Sequence, residues 1–149
     1  MKIVTLIFEI SIQADAAKVW HSLWNLENYK AWTSVFCAGS YYKTDDFKKG
    51  NKIHLLTPNG DGMYSMLHEI QENKYLAFKH LGDLKNHNEM PIEGDVLAWS
   101  GALETYTLNQ NGNTTDLIVH VDTIDTYIDF MNKSFPLALQ ELKKIAEAN

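Results

Sequence analysis

The sequence predicts an α+β fold in which a seven-stranded, curved antiparallel sheet wraps around a long C-terminal helix, with two short helices after the first strand. Three observations predict it. The N-terminal residues alternate with period two, the long middle stretch carries turn signals at strand-length intervals, and Tyr127 to Ala148 repeats apolar positions at spacings of three and four. A sheet curled round one helix commonly leaves a cavity, so this order of patterns points to small-molecule binding.

In the opening strand Val4, Leu6, Phe8, Ile10 and Ile12 share one face, and Thr5, Glu9 and Ser11 take the other. The period then changes. Asp15 caps a short helix whose apolar stripe is Val19, Trp20, Leu23 and Trp24, and Asn25 opens a second one carrying Leu26, Tyr29 and Trp32. These aromatics plug one end of the sheet. Turn signals at Lys48 to Asn51, Asn59-Gly60-Asp61-Gly62, Gln71 to Lys74 and Asn109 to Asn113 then mark off strands near 35–43, 52–58, 63–71, 75–81, 97–109 and 114–122. Gly82 to Asp95 is the exception, a long polar connection with Pro91 and Gly94. The final helix begins with a Thr126/Asp129 capping pair and buries Ile128, Met131, Phe135, Ala138, Leu142 and Ile145, with Leu139 widening the face. Pro136 inside it removes one backbone bond and predicts a kink near Asn132 to Phe135.

At 149 residues the chain, 1–149, reads as a single domain able to hold both a core and a pocket. All thirteen basic residues are lysine, they are scattered, and the net charge is −6, so no nucleic-acid surface is expected. Cys37 is the single cysteine, which leaves no internal disulfide and fits a reducing, cytoplasmic setting. No apolar run approaches the ~20 residues needed to span a bilayer, so no membrane span is expected. The six histidines lack HxH or HExxH spacing, and no metal or other cofactor is expected.

Several stretches resemble a known family. Ala14-Asp15-Ala16-Ala17-Lys18-Val19-Trp20, Leu23, and Tyr29-Lys30-Ala31-Trp32-Thr33 form one group. Phe47-Lys48-Lys49-Gly50-Asn51-Lys52-Ile53, Leu67-His68-Glu69-Ile70, Leu76-Ala77-Phe78-Lys79-His80 and Gly112-Asn113-Thr114-Thr115 extend the likeness over nearly the whole chain. Together they resemble the SRPBCC superfamily (START and birch-pollen-allergen-like proteins), in the branch named for the activator of the heat-shock-protein-90 ATPase. The chain departs from that pattern at Phe47, where many members have Trp, and at Glu72-Asn73, which replaces a Pro-containing turn. The resemblance implies a helix-grip fold. Members bind lipids, hormones or polyketides, catalyse cyclisation or hydrolysis, or act on protein partners, so the resemblance alone does not choose among these.

Residues expected on the concave face make the candidate pocket: Phe36, Ile53, Leu55, Tyr64, Met66, Phe78, Trp99, Tyr106, Met131 and Phe135. Trp99 and Tyr106 have opposite phase, so both face inward only if a bulge near Ser100-Gly101 resets the register. His80, Glu104 and Tyr106 are the inward polar candidates, an acid–base set if they converge and ordinary satisfied core or rim residues if they do not. No catalytic residue is assigned. The expected function is binding of a small hydrophobic or amphipathic molecule between sheet and helix, with the 82–95 connection and the kinked helix as its gate. The alternatives are a small-molecule enzyme and a stress-related co-chaperone with a chaperone partner. An exposed edge strand could also pair two copies as a homodimer.

Overall fold

The N-terminal alternation produces β1 (Ile3–Ile12) in the computed structural model, which describes residues 2–148. Asp15 then caps α1 (Ala16–Trp24), its carboxylate accepting from the Lys18 N–H at 2.8 Å. Asn25 ends α1 and caps α2 (Leu26–Thr33). Six strands that are long or short according to their turns follow: β2 (Tyr41–Lys43), β3 (Lys52–Leu56), β4 (Gly62–Gln71), β5 (Tyr75–Lys85), β6 (Asn88–Glu89) and β7 (Leu103–Asn111). The eighth, β8 (Thr114–Ile124), leads through a 3-10 turn into α3 (Ile128–Glu147).

All pairings are antiparallel, and the sheet runs β1-β8-β7-β5-β4-β3-β2 with β6 attached to the far end of β5. The first strand therefore pairs with the last, Ile3 opposite Ile124 and Ile12 opposite Thr115. Both α3 and the two short helices pack on the concave face, which is the helix-grip arrangement. Val19, Leu23, Trp24 and Trp32 from the short helices meet Leu76, Tyr106, Leu117 and Val119 of the sheet and Ala138, Leu139 and Leu142 of α3. Trp24 sits at the centre of this aromatic stack, in edge contact with Tyr106 at 4.9 Å and Phe78 at 5.4 Å.

The structure changes several expected elements. The chain over 34–40 turns rather than pairing, so the second strand starts only at Tyr41. β5 runs on past 81 to Lys85 and returns as β6 through Asn86 and His87, both at positive φ (50° and 68°). The long 82–95 connection is thus mostly hairpin, and its two-residue β6 adds to the seven strands that run across the sheet. Where a strand was expected from 97, Gly94–Ala98 forms a 3-10 helix and β7 starts at Leu103. The cap position of α3 is Tyr127, one residue beyond the expected Thr126, and the Tyr127 side chain makes no capping bond. The helix runs through Pro136 without interruption. Pro136 and Asn132 are both exposed, so the carbonyl that the proline cannot serve lies on the solvent side.

A bulge decides which residues reach the inside. Tyr64 pairs with Gly82 but Ser65 pairs with His80, so Leu81 has no partner across β4. His80 consequently faces the concave side, whereas Gly82 and Leu84 turn to the convex side. There Leu56, Tyr64 and Leu84 form a second, small apolar cluster, and the Tyr64 hydroxyl donates to the Met90 carbonyl at 2.8 Å.

Candidate functional site

Between the concave face, α2 and the first turns of α3 lies a cavity of about 260 Å³. Phe78 and Tyr106 supply its sheet wall, Tyr29 and Trp32 its α2 wall, and Phe135 its α3 wall. Phe135 is held by stacking on Phe8 at 4.9 Å and by an edge contact with Phe36 at 4.8 Å. The mouth is framed by half-buried Phe36, Cys37, Leu55, Met63 and Met131 and by exposed Phe130. A wider depression of about 1070 Å³ lies at the opposite end, between the start of α1 and the β4–β5 and β7–β8 turns. It is open to solvent and lined by polar residues at helix and strand ends such as Asp15, Gln71 and Asn111, so the smaller, apolar cavity is the candidate site.

Glu104 is the one charged residue among those lining this cavity. Its carboxylate joins a buried polar chain. The Tyr106 hydroxyl donates to Oε2 at 2.5 Å, His80 Nε2 lies 3.0 Å from Oε1, and His80 Nδ1 lies 2.7 Å from the Ser65 hydroxyl. Ser65 is fully buried, and His80 is its one side-chain partner among the described residues. His80 thus bridges Ser65 and Glu104, one ring nitrogen to each.

The charges follow from this geometry. Burial pushes the Glu104 carboxyl up, but the hydrogen bond and electrostatic attraction of His80, with the Tyr106 hydrogen bond, outweigh it and hold the group below the ordinary carboxylate value. Burial first, then the Glu104 charge, push the phenols of Tyr106 and Tyr29 well above theirs. The wall therefore presents an ionised carboxylate flanked by two neutral phenols. Trp24 Nε1, buried close by, has no hydrogen-bond partner and is surrounded by aromatic rings.

Of the residues expected at a pocket, the structure brings Phe36, Leu55, Phe78, Glu104, Tyr106, Met131 and Phe135 to the cavity. His80 stands behind Glu104, and Ile53 is packed in the core beneath. Tyr64 and Met66 are corrections: they share the convex face with Lys52 and His54, the Lys52 ammonium lying 5.6 Å from the Tyr64 ring centre. Their strand carries apolar residues on both faces, so alternation read from sequence chose the wrong one. Trp99 is also a correction. It follows the 3-10 helix in a turn, outside the cavity lining, and no strand bulge at Ser100-Gly101 is involved. The 82–95 segment contributes nothing to the lining, so the mouth is bordered instead by the 34–40 turn and the start of α3. Tyr29, Trp32 and Met63 were missed as wall residues; the aromatic spacing of α2 was the signal available for the first two. Among the described residues, no three His, Cys, Asp or Glu side chains group closely enough to hold a metal ion, and no helix is long and apolar enough to cross a membrane.

No family model matches the chain, and no curated protein matches it in sequence. Solved structures do resemble it. Protein MLL2253 from Mesorhizobium loti superposes with a TM-score of 0.71 at 15% identity, covering 95% of this chain and 96% of that one. The Aha1 dimer from Colwellia psychrerythraea gives a TM-score of 0.70 at 20% identity, covering 97% and 96%. CalU16 from Micromonospora echinospora gives 0.66 at 12% identity, covering 96% and 76%. At these identities the likeness establishes the shared helix-grip fold.

Proposed function

We propose that the chain, acting as one domain, binds a small hydrophobic or amphipathic molecule in the cavity between the sheet and α3. The observation that supports this best is the wall itself, aromatic on three sides with one ionised carboxylate set into it. Ligand sites combine an apolar lining with a few fixed polar groups in this way. Phe36, Leu55, Phe78, Glu104, Tyr106, Met131 and Phe135 make the site, and Phe130 with the 34–40 turn borders its entry. Native mass spectrometry and displacement of an apolar fluorescent dye test the reading. Saturable, displaceable uptake is expected; an absence of both bound species and dye uptake overturns it.

One observation favours a second reading, that of a small-molecule enzyme. Ser65, His80, Glu104 and Tyr106 converge, and an ionised carboxylate backed by an imidazole at a cavity wall has the form of a general base. A base requires a substrate proton within hydrogen-bond reach of a free carboxylate lone pair. Deuterium exchange into a bound carbonyl probe, lost in Glu104→Gln but not in Cys37→Ser, separates catalysis from simple binding. No Glu104-dependent exchange removes the enzyme reading.

A further inference from the structure

An ionised carboxylate offers about four acceptor positions, and Tyr106 and His80 fill one on each oxygen of Glu104. The Glu104 side chain retains 19% of its exposure, and it lines the cavity. The remaining lone pairs can only accept, so whatever meets them must donate. Charge matters as well. No lysine or histidine lines the cavity, so Glu104 is the one charged group its wall presents. A second anion brought beside it is costly. Fatty-acid carboxylates and phosphates are therefore poor occupants. A neutral alcohol would fill a lone pair but bring no charge attraction.

The rest of the wall suits a cation as well. Tyr29, Trp32, Phe78 and Tyr106 surround the same space with aromatic rings, whose faces attract ammonium groups. Volume sets the size of the guest. A 150 Å³ apolar cavity holds benzene, so 260 Å³ takes a body of about ten heavy atoms. Resting on the ligand-cavity reading, we propose that the preferred occupant is a primary or secondary ammonium carried on a flat apolar body, an arylalkylamine being the fitting class. Its N–H groups donate to the open lone pairs of Glu104, and its ring lies among the aromatic side chains.

Three probes of similar size separate charge from shape: 2-phenylethylamine, 2-phenylethanol and 3-phenylpropionate, each titrated into the whole protein by calorimetry at neutral pH. The amine is expected to bind at least tenfold more tightly than the alcohol, with the carboxylate weakest. Glu104→Gln is expected to lower the amine to the level of the alcohol while alcohol binding persists. Should that variant fail to fold, the ranking on the natural sequence decides by itself. Equal binding of amine and alcohol, or a preference for the carboxylate, overturns the amine proposal and leaves the cavity reading standing. If none of the probes binds and the apolar dye is not taken up either, both fall.

Discussion

Replacing Tyr106 by phenylalanine removes one hydroxyl and little else. The ring is 1% exposed and stays in place against Trp24, Trp32 and Phe78. What disappears is the hydrogen bond to Glu104 Oε2 at 2.5 Å. Hydrogen bonds to charged groups contribute about 1.5–3 kcal/mol, and the carboxylate then keeps only His80 as a donor. For a chain of this length each kcal/mol moves Tm by about 4 °C, so the variant should melt roughly 6–12 °C lower. Urea unfolding at neutral pH should show the midpoint falling with the slope unchanged. The pH dependence gives a second check. Glu104 has a folded pKa below its unfolded value, so its contribution is present above the unfolded value and is lost as pH falls through the folded one. Removing a donor raises the folded pKa. The gap between the two proteins should therefore be widest at neutral pH and narrow on acidification. A difference under about 0.5 kcal/mol at neutral pH, small enough for an ordinary surface change, or a gap that stays constant into acid, would refute the assignment of an ionised Glu104 held by Tyr106.

Three other perturbations test separate parts of the structure. Leu55→Trp should place an indole in the mouth of the cavity, cutting apolar dye uptake at least tenfold, while Tm stays within about 3 °C because the space already exists. Retained uptake would show that the dye binds elsewhere. Gly62→Ala should be severe, because a Cβ there would lie 1.9 Å from the Leu55 carbonyl oxygen, a backbone atom that cannot rotate away. A loss of about 3 kcal/mol or more by urea denaturation is expected, and near-neutrality would contradict this packing of the β3–β4 hairpin. Pro136→Ala restores a donor to the Asn132 carbonyl and should raise stability by about 1–3 kcal/mol, read from thermal and urea melts. An unchanged or lower stability would mean that the proline shapes the helix for packing.

Much of this architecture is legible in the residues because most elements carry one unmistakable period. β1 alternates from Val4 to Ile12, and α3 repeats from Ile128 to Ile145, so both are found with nearly the observed bounds. β5 and β7 also keep their phase where it matters, which is why His80, Glu104 and Tyr106 could be placed on one face and lie within hydrogen-bond distance. β4 defeats the same procedure. Met63, Tyr64, Met66 and Leu67 are apolar on both faces, since the convex side has its own cluster, and two irregularities shift the pairing. The Asn86-His87 turn was equally hard to read, because no glycine marks its two positive-φ positions. Trp99 looked like a strand residue by its size, yet its position is set by the 3-10 turn before it. Tyr29 and Trp32 were read as a plug for one end of the sheet; the cavity they wall depends on how far α3 stands off, which no local pattern encodes.

The pairing of the first strand with the last has a consequence for how the molecule is made. During synthesis β1 is made more than a hundred residues before its neighbour β8. Until then Val4, Leu6, Phe8 and Ile10 travel as a loose, sticky ribbon with nothing to zip onto. Closing so distant a pair is slow and exposes the nascent chain to aggregation. Protection of the sheet should therefore close late at this seam: pulsed hydrogen exchange during refolding should find the β1 amides protected no earlier than those of β8, and early protection of β1 alone would contradict this order.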